Sequence, residues 1–206
     1  MIKRDIEAVP LGSFKVGSKA DNEDPAIAPW RSNLTALSQE HNLYFVAFAE
    51  DIWVYESTRD VENNGHEPVQ IVRTLQSADG LQGHLSRHRP HAINNILIAK
   101  LGTEEVLACV RDDGDCEVFM LRHILSAIEN YRRNASAGML KLAFDRPIYR
   151  VNVGSSAWGL SIHSEARMLA VSSNLHEITV IKFALVDQSE DNGKPSKVRY
   201  NTVISS

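Results

Sequence analysis

The stretch "SAWGLSIHSEARMLAVSSNLHEITVIKFAL", residues 156 to 185, decides how the rest of the chain is read. Its three apolar runs are separated by the turns "HSEAR" and "NLH". Between Glu177 and Leu185, Thr179, Ile181, Phe183 and Leu185 alternate with Ile178, Val180 and Ala184, and only Lys182 interrupts the second set. Successive side chains of a strand point to opposite faces, so a strand with one wet face alternates apolar with polar residues. A hairpin that is apolar on both faces predicts a sheet covered on both sides.

Two upstream stretches share this order of strand, turn, strand, tight turn, strand. They are "NLTALSQEHNLYFVAFAEDIWVYES" (33–57) and "HAINNILIAKLGTEEVLACVRDDGDCEVFML" (91–121). In the second, Asp113-Gly114 is the strongest short-range hairpin signal a sequence offers. With Val54, Val118 and Val180 taken as equivalent, the units recur at steps of 64 and then 62 residues, the mark of a repeated supersecondary unit. The inner strands "LYFVAF", "VLACV" and "RMLAV" are all apolar on both faces. Stacked antiparallel sheets joined by short turns are propeller blades. WD-type blades run about 40 to 45 residues, so each step carries an excess of about 20. That excess holds outer strands at "PVQIVRTLQ", "RPIYRVNVG" and "VRYNTVISS", and a helix at "MLRHILSAIENYRR" with Leu121, Ile124, Leu125, Ile128 and Tyr131 on one face.

The expected fold is therefore all-β: about three WD-repeat-like β-propeller blades, an incomplete ring, with one inserted helix. Residues 1–30 form an irregular N-terminal segment, 31–185 the three blades, and 186–206 a polar linker with an outer strand. The expected core comprises Phe45, Val46, Ile52, Val54, Leu107, Val118, Trp158, Leu160, Leu169, Val171, Ile178 and Val180. Three blades do not close a ring, so the chain reads as part of a larger propeller whose first and last sheets show apolar faces.

Composition bounds the function. Of 206 residues, 43% are apolar and 23% charged, values of a soluble globular protein. The net charge of -4 gives no global electrostatic case for nucleic acid, so direct DNA binding is not expected. No run approaches the roughly 20 apolar residues of a membrane span, and the N-terminus lacks an apolar stretch of signal-peptide length. Cys109 and Cys116 fall on two arms of one hairpin as diagonal neighbours, about 7 Å apart and poorly set for a bond. A reducing compartment, nucleus or cytoplasm, fits.

No constellation carries chemistry. "GSFKVGSK" (Gly12 to Lys19) has Ser18 where a phosphate loop needs its lysine. "GHLSRHRPH" groups His84, His88 and His91, but Arg87 and Arg89 among them would repel a metal. "RDDGDCE" lacks calcium-loop spacing and reads as a hairpin turn. His163 and His176 lie at turns and are expected to hydrogen-bond there. No nucleophile stands beside a base, so neither an enzyme, a cofactor nor a metal is expected. Charge is uneven: Glu50, Asp51, Glu56, Asp60, Glu62 and Glu67 cluster around one loop, and Arg122, Arg132, Arg133, Lys141, Arg146 and Arg150 in residues 121–150. Arg122, Arg132 and Arg133 are the candidate partner-binding residues, as a basic helix is a handle for an acidic partner.

"VGSSAWGLSIHSEARMLAVSSNLHEITVIKFAL" (153–185), "SNLTALSQEHNLYFVAFAEDIWVY" and "VLACVRDDGDCEVF" resemble the fungal Crt regulators (constitutive transcription of ribonucleotide reductase), atypical WD-repeat proteins. The resemblance covers about residues 30–185. It is most specific at Gly154, Ser156, Ala157, Trp158, Gly159, His163, Ser172, Ser173, Asn174, His176 and Glu177. It implies a propeller scaffold that regulates ribonucleotide reductase genes through protein partners. It also implies an alternative service as substrate receptor of a cullin-type ubiquitin ligase, docked to an adaptor. The Trp-Asp that ends standard WD blades is absent: the third strands end "VYES", "VFML" and "VIKF".

Overall fold

The computed structural model describes residues 30–56, 69–72, 83–134, 140–143, 147–185 and 200–205. Residues 12–19, the acidic Asp60, Glu62 and Glu67, and Arg146 lie outside them. The first sheet begins as a meander of β1 (Thr35–Ser38), β2 (Leu43–Phe48), β3 (Asp51–Glu56) and β4 (Val69–Val72), each antiparallel to the one before. The second begins with β5 (Ile93–Leu101), β6 (Glu104–Arg111) and β7 (Asp115–Met120). The chain then departs as α1 (Leu121–Asn134) and lays β8 (Leu140–Ala143) parallel to β4 of the first sheet. It returns as β9 (Tyr149–Asn152), the fourth strand of the second sheet, beside β7. The third sheet is β10 (Ala157–His163), β11 (Met168–Ser173), β12 (Ile178–Leu185) and β13 (Tyr200–Ser205), in that order. The all-β expectation holds, and α1 is the helix among the described residues.

The sheets stack face to face, with the second in the middle. On β6 and β7, Leu107, Cys109 and Phe119 face the first sheet and join Phe45, Ile52, Val54, Ile93 and Ile96 in one buried cluster. The alternate residues, Val106, Ala108, Val110, Cys116, Val118 and Met120, face the third sheet and bury against Leu169, Val171, Ile181 and Phe183. This explains why β6 is apolar throughout: both of its faces are interior. Helix α1 seals the rim between sheets one and two, inserting Leu121, Ile124 and Ile128 into the first cluster. At roughly 1.5 Å per residue its 14 residues cover about 21 Å, enough to carry the chain from one sheet to its neighbour.

The Val54, Val118 and Val180 equivalence extends to orientation. Val54 points at sheet two and Val118 at sheet three. Val180 pairs with Ala170, lies on the face opposite Ile181 and Phe183, and is half-buried. Of the expected core, Phe45, Ile52, Val54, Leu107, Val118, Leu169 and Val171 are buried. Val46, Trp158, Leu160 and Val180 are only half-buried, and Ile178 is 65% exposed. For Ile178 and Val180 the cause is alternation, since β12 buries Ile181 and Phe183 beneath sheet two and turns Ile178 and Val180 to its other face. Leu160 instead packs against the second cluster from the edge strand β10.

Cys109 and Cys116 lie on the two arms of one hairpin and are unbonded, as expected, but they do not share a face. Cys109 lies opposite Glu117, and Cys116 opposite Val110. Adjacent positions across a ladder point to opposite faces, so the two buried thiols sit in different clusters. Backbone bonds tie the sheets together at their ends. Ile93 N–H donates to Ala49 (2.8 Å) and Ile96 N–H to Asn33 (2.9 Å), joining sheets one and two. Gly102 N–H donates to Ser164 (2.9 Å), joining the turns of sheets two and three.

Candidate interaction site

The basic helix is first a structural rib. Leu121, Ile124 and Ile128 are buried, and Arg122 and Arg133 stand on the wet side. Arg122 Nη1 donates to Glu104 Oε1 at 2.8 Å, and Arg133 Nη2 reaches Glu129 Oε2 at 3.4 Å, both in the open. Exposed pairs of this kind contribute about 0 to 1 kcal/mol, yet they neutralise part of the charge a partner would meet. The side chain of Arg132, like that of Lys141, is outside the description. Arg150 leans on Asp115 (3.2 Å) and Glu117 (3.1 Å).

The residues carrying the resemblance hold turns. Gly154 has φ +84°, the left-handed region that favours glycine. A Cβ on Gly159 would stand 2.5 Å from Ser172 Oγ, the same hydroxyl that accepts the Gly159 N–H at 2.9 Å. Ser156 and Ala157 are fully buried. Asn174 N–H donates to the Ser156 carbonyl (3.0 Å) and Leu175 N–H to Ser173 Oγ (3.3 Å). His163 Nδ1 accepts the Ala166 N–H at 3.2 Å, while His176 adopts φ +61° with its N–H on the Ser173 carbonyl. Glu177, exposed, gives its carbonyl to Ser173 N–H. Trp158 offers its carbonyl to Asn95 Nδ2 (2.9 Å), and its indole N–H is buried without a partner.

Around the β6–β7 turn lies a buried polar network that sequence reasoning missed. The Asp112 carboxylate, fully buried, accepts the N–H groups of Leu85 (2.9 Å) and Ser86 (2.6 Å) on Oδ2 and the Ser156 hydroxyl (2.6 Å) on Oδ1. Asn94 Nδ2 donates to Ser156 Oγ and to the Ala157 carbonyl, and Asn94 Oδ1 accepts from Arg31 Nε (2.7 Å). Asp113 Oδ2 stands 2.6 Å from His91 Nδ1, both groups buried. Arg111 donates to Glu117 (2.9 Å) and to the carbonyls of Glu50 and His91. Burial alone would lower the Arg111 pKa, but Cys109 and Glu117 beside it outweigh burial and leave it raised. The turn is thus more than a hairpin connection, because it pins one loop and two neighbouring sheets. The legible signal was an Asp-Asp-Gly turn in which only one Asp is needed for turn chemistry.

The His84, His88 and His91 group is dispersed by this arrangement. His91 is buried on Asp113, His84 Nδ1 faces the Ser86 carbonyl (3.1 Å), and His88 is exposed. The exposed-loop reading thus fails at His91, which the network takes inside. Among the described residues, one group of metal-ligand type does converge: Glu40, His41 and Glu105. A cation already sits there, since Lys100 Nζ is 2.5 Å from Glu40 Oε1; that hydrogen bond lowers the Glu40 pKa and raises that of Lys100. Glu105 also accepts the Ser38 hydroxyl.

The CRT10 family model matches residues 10–201. An uncharacterized WD repeat-containing protein of Schizosaccharomyces pombe is 25% identical over 154 residues, 73% of this chain and 27% of that protein. A WD40 repeat-containing protein of Dictyostelium discoideum is 28% identical over 173 residues, 84% of this chain and 20% of that protein. The chain therefore spans about a quarter and a fifth of the length of these relatives. Among solved structures, the β-propeller domain of Cps50 (Swd1) from Myceliophteria thermophila aligns with 79% of this chain and 41% of that one, at 13% identity and a TM-score of 0.37.

Proposed function

The chain belongs to the CRT10 family, and from that premise we propose that it works as a non-catalytic WD-repeat-like scaffold, regulating ribonucleotide reductase transcription through protein contacts in the nucleus or cytoplasm. The observation that carries this reading is the family match over residues 10–201, laid on blades whose matched turns are built for packing. The acidic side chains of the β6–β7 turn serve the frame. Asp112, Asp113 and Glu117 hold protein donors, and burial pushes the Cys116 thiol well above its ordinary pKa. No described helix is long and apolar enough to cross a membrane.

The test is genetic and biochemical together. Deleting the gene should alter ribonucleotide reductase transcript levels, and the wild-type chain in its full-length context should restore them. Unchanged transcripts would remove the regulatory role. Co-purification of the full-length protein with a cullin and its adaptor would select the substrate-receptor role instead.

A further inference from the structure

We propose that the loop from Gly83 to His91 is a docking loop for an acidic, extended peptide segment of a partner protein. The proposal rests on the scaffold reading and gives it a surface and a ligand chemistry. The loop "GHLSRHRPH" contains two arginines and three histidines and no acidic residue. Arg87 and His88 are exposed, Arg89 is half-exposed, and Leu85 is 54% exposed beside them. Trp30, next in sequence to the Arg31 that approaches Asp112, is 60% exposed.

Two features separate this loop from the other basic surface. The first is unused charge. Arg111, Arg122, Arg133 and Arg150 each have a carboxylate partner, whereas the side chains of Arg87, His88 and Arg89 have no hydrogen-bonded or ion-paired partner among the described residues. The second is fixed backbone. Asp112 holds the N–H groups of Leu85 and Ser86, the Gly83 carbonyl accepts from Ser155 Oγ and Ser156 N–H, and Arg89 N–H donates to Ser86 Oγ at 3.1 Å. Pro90, buried, locks one more dihedral. A loop held from beneath loses little further entropy when a ligand arrives. Guanidinium groups with free donors match carboxylates in a two-pronged geometry, and Leu85 supplies an apolar contact beside them. Nucleic acid fits less well. Two arginines neutralise few phosphates, so the counterion-release term stays small, and the net charge of -4 opposes it.

The experiment is fluorescence anisotropy with the whole chain and a fluorescein-labelled, glutamate-rich peptide carrying one leucine. Binding should weaken as salt rises. The double variant Arg87→Glu, Arg89→Glu should weaken it by about tenfold per reversed charge. The lysine pair, Arg87→Lys with Arg89→Lys, should keep part of the affinity, since charge remains and the fork is lost. As these side chains hold no partner, both variants should melt with the parent. The control, Arg122→Glu with Arg133→Glu, should bind as the parent does. The proposal is overturned if the parent does not bind the peptide, if the helix control loses as much as the loop variant, or if duplex DNA binds more tightly and displaces the peptide. A transcript change on gene deletion alongside absent peptide binding would sink the loop and leave the regulatory role standing.

Discussion

Replacing Asp112 with alanine should be among the most damaging single changes at a turn of this protein. Its carboxylate accepts three hydrogen bonds, from Leu85 N–H, Ser86 N–H and Ser156 Oγ, at 2.6 to 2.9 Å. Hydrogen bonds to a charged group are worth about 1.5 to 3 kcal/mol each, and an orphaned buried donor costs about 1 to 3. The three do not add fully, because the two amides belong to a loop that water reaches once the carboxylate is gone. Counting about 1 kcal/mol for each amide and 1 to 2 for the buried Ser156 hydroxyl gives about 3 to 4 kcal/mol. Asp112→Asn keeps one acceptor oxygen for the amides and can donate to Ser156 Oγ, so it should cost about 1 to 2. Urea unfolding followed by tryptophan fluorescence reads both, since Trp30, Trp53 and Trp158 report on different parts of the chain. With a slope of about 2 kcal/mol/M, the alanine variant's midpoint should fall by about 1.5 to 2 M. A double-mutant cycle with Ser156→Ala should show coupling of about 1 kcal/mol. If alanine and asparagine both unfold within about 0.5 kcal/mol of the parent, the carboxylate does not anchor the loop and the reasoning is wrong.

The two faces of β12 should respond differently: Ile181→Ala should cost about 2 to 4 kcal/mol and Ile178→Ala under about 0.5, measured by thermal unfolding; equal losses would mean the open face is covered. On α1, Ile124→Ala should cost about 2 to 4 kcal/mol while Arg133→Ala costs at most about 0.5, and the reverse order in urea midpoints would contradict the rib. Cys109 and Cys116 should react with a thiol reagent only as the protein opens, rates rising with urea; immediate labelling of the folded chain would refute their burial. The Glu40 carboxyl is held below its ordinary range by Lys100, so its contribution to stability is present above about pH 4.5 and is lost as pH falls further. At low salt the stability curves of Glu40→Gln and the parent should differ above about pH 4.5 and converge as pH falls, and a difference that survives molar salt would argue against an exposed pair.

Period-2 patterning and turn chemistry carried most of the architecture into the sequence. The Asp113-Gly114 turn, the steps between Val54, Val118 and Val180, and the helix stripe of Leu121, Ile124 and Ile128 each placed an element by a local rule. Face assignment at the ends of the stack was not local. Ile178 and Ile181 are both isoleucine on one strand, and only the presence of a neighbouring sheet separates them. Strand β8 was missed because "LKLA" is four residues long and its partner, β4, lies about 70 residues away in the chain. The buried network was hidden for the same reason. Asp112 and Ser156 are 44 residues apart, and each alone reads as an ordinary turn residue. Arg122 and Arg133 stood out by sign alone, yet the structure answers both: Glu129 pairs with Arg133 one helical turn away, and Glu104 reaches Arg122 from the start of β6, 18 residues away.

The excursion through α1 and β8 has a consequence for how the protein is made. In a simple row of repeats each unit is finished before the next begins, and folding can spread from either side. Here the outermost strand of the first sheet is β8, supplied from within the second unit. During synthesis, at about 5 to 20 residues per second, the first unit waits several seconds with the edge of β4 unpaired, until residue 143 emerges. An unpaired strand edge invites association with other chains. The first sheet therefore cannot mature as an autonomous module, and a cut placed between the first and second units would leave the earlier one without its last strand.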